Sequence, residues 1–323
     1  VSAWSPDGLN YHGRIMTTPT ALPPAEASPA LAPAGHAASR RFILKLSCPD
    51  QAGIVHAVTG ELLAQGGNIL TSAQHGDADH QRFFMRIEFE CAQARPVEAL
   101  RAAFQPLAER LSMDWELVDA HRKTRVLLLV SKLGHCLNDL LFRVQTGHLA
   151  IEIPAIVSNH RDFYQLAASH DIPFHHFPLL RASEEQKLAQ ERRIQQVVEE
   201  EQIDLVVLAR YMQILSPQMC RYLEGRAINI HHSFLPSFKG ARPYHQAHER
   251  GVKLIGATAH YVTSDLDEGP IIEQDVARID HSMTPEQLVA IGRDVECVTL
   301  ARAIQWHAEH RVLLNGHRTV VFR

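Results

Sequence analysis

Asn229, His231, His260 and Asp267 are polar residues that stand where apolar, strand-like runs of this chain give out. AINI leads into NIHHSF, His260 lies in KLIGATAHYV, and Asp267 lies in SDLDEGP. A neutral amide and an imidazole can jointly bind a carbonyl oxygen and stabilise the oxyanion formed when that carbonyl is attacked. A carboxylate on a nearby glycine-containing loop can set the imidazole's protonation and accept a proton from the nucleophile. No G-x-S-x-G elbow is present, so the set points to direct attack on a carbonyl without a covalent intermediate. Each residue also has a plainer reading. A strand-end His is often only a hydrogen-bonded structural group, Asp267 before Glu-Gly-Pro could be a turn former, and Asn229 could brace that turn. With 21 histidines in the chain, the pairs at 175–176 and 231–232 carry little weight by themselves. A metal at His231, His232 and His260 is weighed and set aside, because the spacing fits no helical H-x-x-x-H signature and no carboxylate-rich triad. No metal is expected.

Such groups must be carried to a common rim, and the surrounding pattern supplies one. RVLLLV, IEIPAIVSN, IPFHHFPL, DLVVLARY and AINIHHS are short apolar runs separated by helix-like segments, among them SEEQKLAQERRIQQVVEEE with a Ser183/Gln186 capping box. This rhythm predicts an α/β, doubly wound, mostly parallel Rossmann-like sheet covered on both faces. KLIGATAHYV and PIIEQDVARI are expected to form a late antiparallel pair. A final helix starts at Thr284-Pro285, with Leu288, Ile291, Val295 and Val298 on one apolar face. Ligands on such folds sit beyond the carboxyl ends of the strands, where LARYMQIL and NIHHSF both lie.

Residues 41–121 have a different rhythm. RFILKLSCPD, GIVHAVTGELLAQ, NILTSAQHGD, HQRFFMRIEFE, VEALRAAFQPLAERL and MDWELVD read as βαββαβ, a ferredoxin-like unit. HRKTR (121–125) reads as a linker into a second domain at 122–323. Residues 1–40 hold six of the 17 prolines, lack apolar periodicity, and are expected to be disordered; Met16 offers an alternative start. The chain has 323 residues, 46% of them hydrophobic, and a formal net charge of -4. No basic stripe argues for nucleic acid, and no apolar run approaches the roughly 20 residues that span a membrane. Five scattered cysteines without C-x-x-C spacing read as reduced thiols of a cytoplasmic protein.

NIHHSFLPSF, GARPYHQAHERGVKLIGATAHYV and LDEGPII resemble the folate-dependent formyltransferase family. From about Phe42 to Arg323 the chain is similar to that family's deformylase branch, including an N-terminal ACT module suggested by CPDQAGIV. The resemblance implies that Asn229, His231 and Asp267 are catalytic, since Asp267, unlike Asp265, precedes x-G-P. It implies that Arg210, Tyr211, Met212, Gln213, Ile214 and Leu215 form the folate-binding loop, with His260 near the site. His135, Lys239, Arg242 and Tyr244 are further pocket candidates. Asp50, Gly53 and Asn68 are candidates for an amino-acid effector, glycine or methionine, and a homo-oligomer is expected. The substrate implied is 10-formyltetrahydrofolate, with no separate cofactor.

Members that formylate glycinamide ribonucleotide carry a glycine-rich phosphate turn after the first strand. Here SKLGHCLNDLL (131–141) has one glycine. Without an obvious place for an amine acceptor, water is the expected nucleophile, releasing formate and tetrahydrofolate for purine synthesis and one-carbon balance. Two alternatives stay open: a glycinamide ribonucleotide formyltransferase with an added ACT module, and a non-catalytic, amino-acid-sensing folate binder.

Overall fold

Strand β1 (Arg40–Pro49) is covered on both faces, with Phe42, Leu44, Leu46 and Cys48 buried on one and Ile43 and Ser47 on the other. The structure, a computed structural model, describes residues 40–91, 95–179, 183–233, 235 and 243–323. Except for Arg40, which opens β1, the segment expected to be disordered therefore lies outside the described residues. After β1 come α1 (Ile54–Ala64), β2 (Gly67–Asp77), β3 (Arg82–Cys91), α2 (Val97–Arg110) and β4 (Asp114–Asp119). The four strands form an antiparallel sheet in the order β2-β3-β1-β4. Phe42, Leu44, Leu46 and Cys48 share one core with Ile54, Val58 and Leu62 of α1 and Leu100, Phe104 and Leu107 of α2. The alternate positions face away from the helices, and there too Phe84 of β3 is fully buried.

The chain continues through β5 (Thr124–Val130), α3 (His135–Gln145), β6 (Ile151–Ser158), α4 (Tyr164–Ser169), β7 (Phe174–His176), α5 (Glu184–Glu200), β8 (Leu205–Leu208), α6 (Pro217–Tyr222) and β9 (Ala227–His231). It ends with α7 (Pro243–Glu249), β10 (Leu254–Tyr261), β11 (Ile271–Arg278), α8 (Pro285–Ala308), β12 (Val312–Asn315) and β13 (Arg318–Val321). The linker is shorter than its polar letters suggest, because Thr124 already belongs to β5. A seven-stranded sheet runs in the order β11-β10-β9-β8-β5-β6-β7. Neighbours from β7 to β9 are parallel, whereas β10 is antiparallel to both β9 and β11. Central β5 is apolar on both faces. Val126, Leu128 and Val130 pack with α3 and α8 (Leu137, Leu140, Leu300, Ile304), while Leu127 and Leu129 pack with α5 and α6 (Ile194, Val198, Met219).

One local expectation needs correction and one element goes unforeseen. The expected apolar line of α8 is off register: Leu288 is buried, but Ile291, Val295 and Val298 are only partly so, and the fully buried line runs through Gly292, Glu296, Thr299, Leu300, Ala303 and Ile304. The helix is covered from several sides, so its buried arc includes polar and small positions that hydropathy does not mark. The β12–β13 hairpin was not anticipated, although Asn315-Gly316 at its turn is a hairpin signal and Gly316 has φ 60. Leu313 and Phe322 bury against Phe84, on the helix-free face of the first sheet. Arg86 donates from Nε and Nη2 to the Glu309 carbonyl at 3.1 and 3.0 Å, and Asn315 Nδ2 donates to Asp77 Oδ2 at 2.6 Å. No helix among the described residues is long and apolar enough to cross a membrane.

Candidate active site

Strand pairing brings the polar residues together. Antiparallel β9 and β10 place Asn229 opposite His260 and His231 opposite Thr258. After β10 the chain must turn back sharply, and Gly269 permits it: a Cβ there would lie 1.7 Å from the Tyr261 carbonyl oxygen, closer than any side-chain carbon can come. Tyr261 N–H donates to the Pro270 carbonyl at 2.9 Å, closing the turn. Asp267 lies within it at φ 58, a left-handed conformation that Asp tolerates better than most residues.

Asp267 Oδ2 is 3.2 Å from His231 Nδ1, and Oδ1 is 3.8 Å from His260 Nε2. The hydrogen bond from His231 is the main reason the Asp267 pKa is lowered, outweighing partial burial. Asp267 thereby fixes the imidazole with Nδ1 as donor. The opposite nitrogen, His231 Nε2, is buried with no hydrogen-bond partner among the described residues. His260 donates from Nδ1 to the Tyr261 carbonyl at 2.9 Å, which leaves Nε2 to accept from Asn229 Nδ2 at 3.2 Å. Burial lowers the His260 pKa and favours this neutral form. One amide proton of Asn229 is thus committed to orienting the group.

Asn229, His231, His260 and Asp267 line a cavity of about 350 Å³ together with Arg210, Tyr211, Met212, Gln213, Ile214 and Leu215. Three large apolar side chains of that lining are unusually open, Met212 at 57%, Ile214 at 60% and Leu266 at 58% exposure, so the walls can accept a flat apolar body. The loop that carries them is anchored rather than loose. Arg210 sits at φ 64, Met212 N–H donates to Ser131 Oγ at 3.0 Å, and Ser131 in turn donates to Asn159 Oδ1 at 2.7 Å. Tyr211 turns inward and donates to Gln190 Oε1 at 3.2 Å.

Behind Arg210 lies a buried polar cluster. Arg210 Nη1 donates to His232 Nδ1 at 2.7 Å, and burial followed by the Arg210 charge takes the His232 pKa down to about 4. Glu296 of α8 accepts from His135 Nε2 at 2.8 Å and from Tyr244 OH at 2.7 Å, with Arg210 Nε at 3.4 Å. Burial alone would raise the Glu296 pKa; the His135 hydrogen bond, the Arg210 charge and Tyr244 together lower it. His135 and Tyr244 therefore belong to this cluster and not to the cavity lining. Among the described residues, His135, Cys136 and Glu296 bring potential ligand atoms within 4.8 Å. The adjoining guanidinium and a thiol whose pKa is raised, by its hydrogen bond with Cys297 and by burial, make a poor cation site.

Lys239 and Arg242 lie outside the described residues. The three effector candidates are not brought together. Asp50 and Gly53 follow the end of β1 beside Arg82, whereas Asn68 pairs with Glu90 eight register positions away, roughly 27 Å at about 3.4 Å per residue. Helix α1 runs back along the sheet before β2 begins, so residues close in sequence stand at opposite ends. The sequence reading missed Glu296, Ser131 and Asn159. For Glu296 the signal was a carboxylate in the 288-292-296-300 line of a long helix.

A family model described as formyl transferase matches residues 124–304. The formyltetrahydrofolate deformylase of Corynebacterium sp. (strain P-1) is 50% identical over 284 residues, covering 88% of this chain and 98% of that protein. The crystal structure of the Burkholderia mallei formyltetrahydrofolate deformylase superposes with a TM-score of 0.84 at 55% identity, covering 88% of this chain and all of that one (100%). Glycinamide ribonucleotide transformylase 1 of Symbiobacterium toebii is a more distant match, with a TM-score of 0.59 at 29% identity over 64% of this chain and 96% of that one. On its sequence, its sheet order and these likenesses, the chain belongs to the formyltetrahydrofolate deformylases, within the formyl transferase family.

Proposed function

We propose that this chain hydrolyses 10-formyltetrahydrofolate to formate and tetrahydrofolate. The observation that carries the reading is the meeting of Asn229, His231 and Asp267 at one end of a cavity whose other wall is the apolar loop 210–215. The pterin stacks against Met212, Ile214 and Leu215, and the formyl carbonyl lies toward β9. Asp267 orients a water and takes its proton, directly or through His231. As water adds to the carbonyl carbon, the oxyanion is bound by the free amide proton of Asn229 and, when the water's proton has passed to His231, by its Nε2–H; that same proton later goes to N10. Collapse breaks the C–N10 bond, N10 receives a proton, and formate leaves. His260 acts through Asn229, holding its amide in the orientation that donates.

The N-terminal βαββαβ unit serves as an ACT-type regulatory and oligomerisation module, with glycine or methionine as the effector at the turn of Asp50 and Gly53. The folate-side assignment is tested by measuring formate release from 10-formyltetrahydrofolate with no amine present. Wild type should turn over, and Asp267→Asn, which keeps the shape but removes the base, should be nearly inactive. Wild-type rates in Asp267→Asn would overturn the role of Asp267, and a strict requirement for an amine acceptor would overturn hydrolysis.

A further inference from the structure

His232 stands one residue beyond His231, just past the end of β9. Its ring lies beside that of His231, with centroids 5.0 Å apart, and it lines the same cavity as Asn229, His231 and Asp267. Arg210 Nη1 is 2.7 Å from His232 Nδ1. A guanidinium has only donors, so Nδ1 accepts, and the neutral ring carries its single proton on Nε2. Burial and the Arg210 charge keep the ring neutral, with the pKa at about 4. Arg210 is itself held, its side chain buried and its Nε 3.4 Å from Glu296 Oε2. The tautomer of His232 is therefore set before any ligand arrives.

The far nitrogen is open. His231 Nε2 is buried without a partner, whereas His232 Nε2, also without a hydrogen-bond partner among the described residues, is not enclosed. The cavity is the space that this ring lines. An N–H fixed on such a wall can hold an oxygen but cannot take a proton from water.

Hydrolysis has a use for that donor. While His231 Nε2 is bare to receive the water's proton, it cannot also donate to the carbonyl oxygen. Until the transfer, Asn229 faces the growing negative charge with one proton, because its other is given to His260. A donor that is protonated throughout acts from the first moment of attack.

We propose that His232 is a further catalytic residue, whose Nε2–H donates to the formyl oxygen as its negative charge develops, with Arg210 as the positioning residue that fixes its tautomer. The inference rests on the hydrolase reading above and adds a donor to it. No proton leaves His232 in the cycle; its hydrogen bond strengthens as water adds and is given up when formate departs.

Acceptor-free formate release, with kcat and KM separated, is measured for wild type, His232→Ala, His232→Gln and His232→Phe, with the melting temperature as a control. His232→Ala should lose about 10²-fold in kcat, the lower end of the usual loss for an oxyanion donor, with KM changed by less than about threefold. Gln can present an N–H near the position of Nε2, whereas Phe keeps a ring against His231 and has no N–H. His232→Gln should therefore exceed His232→Phe in kcat by about tenfold. If His232→Ala does not fold, the Gln and Phe proteins carry the comparison. Equal kcat in those two would overturn the assignment, because ring packing or bulk would then account for the residue. An unchanged kcat in His232→Ala, or a loss confined to KM, would overturn it as well. Wild type that releases no formate would instead defeat the hydrolase reading, so the two failures are separable.

Discussion

In the proposed mechanism a single amide carries two duties. Asn229 gives one Nδ2 proton to His260 and has the other left for a carbonyl oxygen. Removing the amide should matter more for the transition state than for binding. Asn229→Ala is expected to lower kcat by about 10²–10³, the usual effect of losing an oxyanion donor, with a small change in KM. His260→Ala leaves the amide in place but unoriented, and should show a milder fall in kcat. Steady-state formate release with the melting temperature as a control would check both, and an unchanged kcat for Asn229→Ala would exclude it from the oxyanion site. That Asn229, His231 and Asp267 meet was legible from their places at strand ends and from the resemblance, which singles out the Asp before x-G-P. Glu296 was not, because a helical carboxylate reads as solvent-facing until the elements around it are known to converge.

At the scale of elements, α8 and α7 are fitted to each other through Gly292 and Tyr244. In an exposed helix, Gly→Ala is stabilising by up to about 1 kcal/mol. Here the added methyl would meet the Tyr244 ring at 2.1–2.4 Å, so Gly292→Ala should destabilise by about 1–3 kcal/mol, the usual range for overpacking. In a Tyr244→Ala background the ring is gone and the sign should reverse, with Gly292→Ala now stabilising. Denaturant unfolding of the four proteins checks this, and the same sign in both backgrounds would show that the ring contact is not what the glycine serves. The parallel strands were readable as fully apolar runs, and the Ser183/Gln186 capping box of α5 is present as spelled. The β12–β13 hairpin escaped because each strand is four residues long, too short for alternation to stand out, and because its burial depends on a sheet that precedes it by more than two hundred residues.

Across the whole molecule, two half-buried imidazoles couple folding to acidity. Burial takes the His307 pKa down to about 3, and His232 stands at about 4, against ordinary values near 6.5. Both groups stay neutral in the folded chain while the unfolded chain takes up protons below about pH 6.5, so stability falls as pH drops from there toward 4 and 3. At about 1.4 kcal/mol per pH unit, each should remove about 2 kcal/mol between pH 6.5 and pH 5. Urea unfolding at pH 7 and pH 5 should show that loss, and a His307→Gln protein should lose about 2 kcal/mol less than wild type. Equal losses in the two would mean that His307 does not titrate in this window. His307 also receives the Tyr261 hydroxyl at 2.7 Å, and the same tyrosine's carbonyl accepts from His260 at 2.9 Å.

The first sheet closes its helix side with its own residues but relies on Leu313 and Phe322 to cover Phe84 on the other. During synthesis this patch therefore waits bare while the entire second sheet is translated. An isolated 40–121 fragment would carry the same uncovered apolar face, and self-association is the outcome to expect when that fragment is expressed alone.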